Sequence, residues 1–116
     1  MELTDNQFKK LKELTMCLID ENIRQLEKWG IQTHSPFEWL AYITEELGEL
    51  SEAISDSEYG RGIDELTDIN NVIKEAIQTA TLALKIAEMY RETMVTPIPE
   101  GLEPDVAIKW TGEDDI

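Results

Sequence analysis

One cysteine and one histidine in 116 residues already exclude several kinds of chemistry. A single cysteine, Cys17, forms no internal disulfide, which fits a reducing cytoplasm. It has no histidine near it in sequence and reads as a helix residue rather than a catalytic thiol. The lone histidine, His34, stands outside any Glu-x-x-His pair, so a ferritin-like di-iron site is ruled out. Basic residues are scarce as well: Lys+Arg 10 against Asp+Glu 25 leaves −15 at pH 7 and a pI near 4.2. A chain with that field holds neither bare nucleic acid nor an anionic membrane. A phosphate ester would need bridging metal ions or a local basic patch. No run approaches the roughly 18 consecutive apolar residues of a membrane span. The opening MELTDNQFKK lacks the apolar segment of a secretory signal, and the expected location is the cytoplasm. Strand alternation is missing apart from a short extended piece at Val106–Trp110, and there are no internal repeats.

What remains is helical periodicity in one domain, with hydrophobic content of 41%. Thr4 or Asp5 can cap a first helix in which Phe8, Leu11, Leu14 or Thr15, Leu18, Asn22, Leu26 and Trp29 recur at three-and-four spacing, ending near Gly30. Ser35, Pro36 and Glu38 form a capping box with proline at its tolerated first position, opening a second helix that runs to about Ser55. SDSEYGRG reads as the turn. A third helix is expected from about Ile63 to Glu92, with Leu66, Ile69, Ile73, Ala76, Ala80, Ala83 and Ala87 on one face. Asn70 and Asn71 mark a break or fresh start within it, with Asp68 as a second cap. The alanines imply close approach of another helix, in this chain or in a partner. The expected architecture is all-α: a bundle of three main helices spanning 1–93, completed to a four-helix-type bundle by a homodimer or homotetramer. Residues 94–116 read as an extended tail rich in proline and acid.

The informative stretch is WLAYITEELGELSEAI, from Trp39 to Ile54. At about 100° per residue, Leu40, Ile43, Leu47, Leu50 and Ile54 form one apolar stripe. Glu46 and Glu49 flank it three residues apart and are therefore neighbours, with Trp39 and Tyr42 on the same flank. Glu45 and Glu52 point towards solvent. Two carboxylates at the edge of a core need compensation, from a divalent cation, a lysine or partial exposure. To hold Mg²⁺, which takes oxygen ligands, the pair needs further groups from a second element. The third helix offers two sets: Glu65 with Asp68, and Glu75 with Gln78. In an antiparallel pair, Glu46 facing Asp68 and Glu49 facing Glu65 centres the turn at position 57. Glu46 facing Gln78 and Glu49 facing Glu75 centres it at position 62, nearer the glycines Gly60 and Gly62. Turn chemistry favours Glu75, and literal spacing favours Asp68.

Glu45-Glu46-x-x-Glu49 followed by a further acid motif resembles the MazG-like all-α nucleoside triphosphate pyrophosphohydrolases, whose signature is EExxE, a spacer, then ExxD. WGIQTHSP, from Trp29 to Pro36, is similar to the W-x-Q-x-H-x-P loop of members acting on pyrimidine nucleotides. KEAIQTATLALKIAE, from Lys74 to Glu88, resembles the third helix of a subgroup in which glutamine stands where others have aspartate. The likeness covers about Arg24 to Glu92. It implies hydrolysis of a ribo- or deoxynucleoside triphosphate to the monophosphate and pyrophosphate, with Mg²⁺, or Mn²⁺ in its place, as cofactor. Glu46, Glu49, Glu75 and Gln78 would be the ligands, with Glu65 and Asp68 as the other register, and Glu46 and Glu49 would serve catalysis. Trp29, Trp39 and Tyr42 would stack on the base, and Gln32 and His34 would bond its edge. Lys74, Lys85 and Arg61 are candidates for the outer phosphates. The competing expectation is a non-enzymatic acidic helical protein that occupies a basic partner's groove, or one that binds nucleotides without cleaving them.

Overall fold

The structure, a computed structural model, describes residues 2–94, and side-chain burial as far as 92. The chain is all-α: α1 spans Asp5–Trp29, α2 Pro36–Tyr59 and α3 Glu65–Met94. The tail beyond 94, with its expected extended piece at Val106–Trp110, lies outside the described residues. No described helix is long and apolar enough to cross a membrane.

Each helix starts where its capping chemistry says it must. The Thr4 hydroxyl accepts from the Gln7 N–H at 3.1 Å while Gln7 Oε1 accepts from the Thr4 N–H at 2.9 Å. Ser35 and Glu38 repeat this reciprocal pairing at the start of α2, with Pro36 inside the first turn. Asp64 opens α3, accepting from the Thr67 N–H at 2.8 Å and from the Thr67 hydroxyl at 3.0 Å. Those bonds hold the Asp64 carboxyl below its ordinary pKa.

The helix ends bring two corrections. α2 continues past Ser55 to Tyr59 and stops at Gly60, which adopts the left-handed conformation and donates its N–H to the Asp56 carbonyl. Ser55, Asp56 and Ser57 look like turn residues, yet all three are half-buried, and the chain first reaches a residue that takes positive φ at Gly60. α3 has no break at Asn70 and Asn71. Its cap is Asp64, and Asp68 sits one turn inside with its Oδ1 accepting from the Ile63 N–H at 3.0 Å. That carboxylate fills the space where a side chain at position 62 would stand, so any residue larger than glycine there would have to displace it.

α3 is the central element and packs along both α2 and α1. The α1 contact includes a polar chain: Lys85 Nζ donates to Asn22 Oδ1 at 2.8 Å, and Asn22 Nδ2 donates to Glu88 Oε1 at 3.1 Å. On α2 the less exposed positions are Trp39, Ile43, Glu46, Leu50 and Ala53, a run at three-and-four spacing, followed by Ser55, Asp56 and Ser57. The expected apolar stripe is therefore split. Ile43 and Leu50 turn inward, whereas Leu40, Leu47 and Ile54 are exposed. On α3 the expected face of Leu66, Ile69, Ile73 and the four alanines is exposed throughout. Among the described residues only Trp39, Asp68 and Thr81 are buried. Thr81, wholly enclosed, satisfies its hydroxyl on the Ile77 carbonyl at 2.8 Å.

Candidate functional site

Because α2 and α3 run side by side with Glu46 on the shared face, three carboxylates converge. Glu46, Glu49 and Glu75 each place one oxygen within 4.8 Å of the other two. Glu46 and Glu75 are half-buried and Glu49 is exposed. Oε2 of Glu46 and Oε2 of Glu75 are both buried without a hydrogen-bond partner. Burial pushes the Glu46 carboxyl up from 4.5 to about 7, and the Glu49 and Glu75 charges add to the rise. An arrangement of this kind favours binding a proton or a cation, since unpaired buried anionic oxygens are costly.

The donor set fits a hard divalent ion. Octahedral Mg²⁺ at about 2.1 Å separates its ligand oxygens by about 3 to 4 Å, so carboxylates this close reach it with small side-chain movements. Exposed acidic groups also occur without any ion.

The other register is not part of this group. Glu65 is exposed in the first turn of α3, and Asp68 is engaged with the Ile63 N–H. Asp68 instead lines an acidic cleft with Glu49, Glu52, Asp56 and Glu75. Gln78, one turn beyond Glu75, lines a separate cleft of about 390 Å³ with Glu46.

That second cleft gathers the five residues expected to meet a substrate base. Trp29, Gln32, His34, Trp39 and Tyr42 all line it. His34 stands edge-on to Trp39 at 4.9 Å and to Tyr42 at 5.1 Å between ring centres, and Trp39 meets Tyr42 at 6.1 Å. His34 Nδ1 is also 3.6 Å from Glu38 Oε2. Trp39 is 4% exposed, so it chiefly walls the cleft, while the half-exposed Trp29 carries the Lys28 ammonium over its ring at 4.7 Å. Gln32, His34 and Trp39 also border a larger, more apolar cavity of about 700 Å³ towards the end of α3.

The cations are distributed differently from the sequence expectation. Lys85 is tied to Asn22 and lines the larger cavity. Arg61 binds Ser55, pairs with Asp56 at 3.7 Å and lies over Tyr59. Lys74 is exposed. The cation lining the 390 Å³ cleft is Arg24, with Gln25 and Leu82 as further unanticipated neighbours. The signal available in sequence was the spacing Glu21-x-x-Arg24, an ion pair on one helix face. Glu21 accepts from Arg24 at 2.7 and 2.8 Å and from Gln25 at 3.1 Å, and the Arg24 bonds hold its carboxyl below the ordinary value.

Comparison with protein-family models, with curated proteins and with solved structures finds no match to this chain.

Proposed function

We propose that this chain is a Mg²⁺-dependent nucleoside triphosphate pyrophosphohydrolase. The observation that carries the reading is the Glu46, Glu49 and Glu75 group, with two unpartnered buried oxygens, at the edge of a cleft walled by aromatic and amide side chains. The resemblance of its motifs to MazG-like enzymes points the same way. Glu46, Glu49 and Glu75 would hold the metal, with Gln78 beside Glu46. The bound ion supplies charge neutralisation for the phosphates and acidifies a water. The chain's own contribution is positional. Glu46 and Glu75 present oxygens that no protein donor competes for. Glu49, the exposed member, is open to solvent and suited to take a proton from an attacking water. Attack at the α-phosphorus breaks its bond to the α–β bridging oxygen, giving the monophosphate and pyrophosphate. Tyr42 and Trp29 offer faces for the base, and Gln32 and His34 offer donors and acceptors for its edge.

The same reading assigns the exposed apolar faces to further copies of this chain, as a homodimer or homotetramer. Leu40, Leu47 and Ile54 on α2, and Leu66, Ile69 and Ile73 on α3, are 43 to 69% exposed. Faces of this size are uncommon on stable monomers. The exposed alanine positions beside them allow a second helix to approach closely.

The test is pyrophosphate release from a panel of ribo- and deoxynucleoside triphosphates with and without Mg²⁺, comparing wild type with Glu49→Gln and Glu75→Gln. Release that requires Mg²⁺ and is lost in both variants supports the reading. No release from any substrate by folded wild type would sink it. Gln78 at a position where an acid would strengthen metal binding favours one second reading, a protein that binds nucleotides without cleaving them. Binding without release would identify it.

A further inference from the structure

Arg24 is the cation that lines the cleft shared by Glu46 and Gln78. Its Nε and Nη2 are taken by Glu21, side-on and bidentate. Two features make this more than a surface ion pair. Glu21 is the better enclosed partner, its side chain 14% exposed against 50% for Arg24, and it also binds Gln25 from the same cleft. The carboxylate therefore acts as an anchor that orients the guanidinium, and the pairing leaves Nη1 for another acceptor. The remaining charged groups lining the cleft are Glu45 and Glu46, in a chain of net charge −15. A phosphate chain entering there meets carboxylates unless a cation screens it. Lys85 and Arg61 are committed to other contacts, and Lys74, whose charge reaches Glu21, does not line this cleft.

We propose that Arg24 is a phosphate-binding residue of this cleft, held ready by Glu21 and donating from Nη1 to a non-bridging oxygen of the nucleotide's phosphate chain. This rests on the reading of the cleft as a nucleotide site, but not on hydrolysis taking place. Guanidinium is suited to the task because its planar donors match phosphate oxygens and its charge persists at any working pH. The contact distinguishes phosphorylated ligands from bare nucleosides, and it divides recognition between α1 for phosphate and the 29–42 segment for the base.

The experiment is equilibrium binding, with Mg²⁺ present, of α,β-methylene triphosphates of cytidine, uridine, thymidine, adenosine and guanosine, and of the matching nucleosides. For the analogue that wild type binds best, Arg24→Gln should weaken binding about tenfold or more, the loss typical of a charged hydrogen bond. Nucleoside binding should be unchanged, and Arg24→Lys should recover part of the loss. Glu21→Gln, which removes the anchor but not the charge, should produce a smaller loss than Arg24→Gln. Circular dichroism melts confirm that each variant is folded, and Arg24→Lys gives the comparison if Arg24→Gln is not. Unchanged analogue binding in a folded Arg24→Gln overturns the proposal. So does an equal loss for the bare nucleoside, which would place Arg24 on the base. Arg24-dependent binding with no pyrophosphate release from the cleavable triphosphate supports this proposal and overturns the hydrolase reading. Failure of wild type to bind any analogue overturns both.

Discussion

Glu46→Gln separates the electrostatic cost of the carboxylate group from the fold that imposes it. In the folded chain the Glu46 carboxyl titrates at about 7 instead of 4.5, because of burial first and the Glu49 and Glu75 charges second. The unfolded chain ionises that carboxyl near its ordinary value. Between about pH 4.5 and 7 the folded state therefore holds the extra proton, and stability falls as pH rises. Below pH 4.5 the carboxyl is neutral in both states and costs nothing; above pH 7 the penalty is complete. At 1.36 kcal/mol per pH unit the full displacement corresponds to about 3 kcal/mol, and screening at a half-buried side chain lowers this to about 2. Glutamine cannot ionise. The variant should match wild type near pH 4.5 and exceed it by about 2 kcal/mol at pH 8, or on the order of 10 °C in Tm for a domain of this size. The assay is a urea titration or thermal scan at pH 4.5, 6, 7 and 8, at fixed protein concentration with chelator present. Adding Mg²⁺ should stabilise wild type and leave the variant unmoved, since binding to the native state alone raises stability by mass action. A gap between the two proteins that stays constant from pH 4.5 to 8 would refute the reasoning.

Three further predictions follow from the same geometry. Glu75→Gln should abolish the Mg²⁺-linked stabilisation, whereas Asp68→Ala should retain it and cost about 1–3 kcal/mol in a urea titration by stranding the Ile63 N–H. Trp39→Ala should cost about 3–5 kcal/mol in the same assay, because Trp39 is the buried aromatic against which His34 and Tyr42 pack. Leu47→Lys, on the exposed face of α2, should lower the sedimenting mass relative to wild type; an unchanged mass would show that this face has no part in association.

The starts of α1 and α2 were legible because their signals are local. Ser35, Pro36 and Glu38 carry a complete instruction within four positions, and the structure makes both reciprocal bonds. The end of α2 was not, because Ser55, Asp56 and Ser57 have turn-like chemistry while their side chains are half-buried. Tertiary context overrides propensity there. Convergence of Glu75 with Glu46 and Glu49 could be narrowed from the position of Gly60 and Gly62, since turn placement sets the register of two antiparallel helices. Periodicity did not separate the faces of α2 and α3 that meet within the chain from those left exposed, for one reason. It identifies which residues are apolar together, not which of two apolar arcs meets a neighbour in the same chain. Arg24 escaped notice because α1 has an apolar repeat that reads as packing alone, and its place in the cleft depends on how α1 lies across α3.

The junction between α2 and α3 has a consequence for how this sequence can drift. The Asp68 carboxylate occupies the volume that any side chain at position 62 would claim, and it also closes the loop through the Ile63 N–H. The two positions are therefore coupled. A lineage that gains even alanine at 62 must first shorten residue 68 or let its carboxylate swing away. The cleft that carboxylate borders already holds Glu49 and Glu75. Asp68 already lines that cleft, so a side chain gained at an exposed glycine would disturb a carboxylate neighbouring the three that converge without touching any of them.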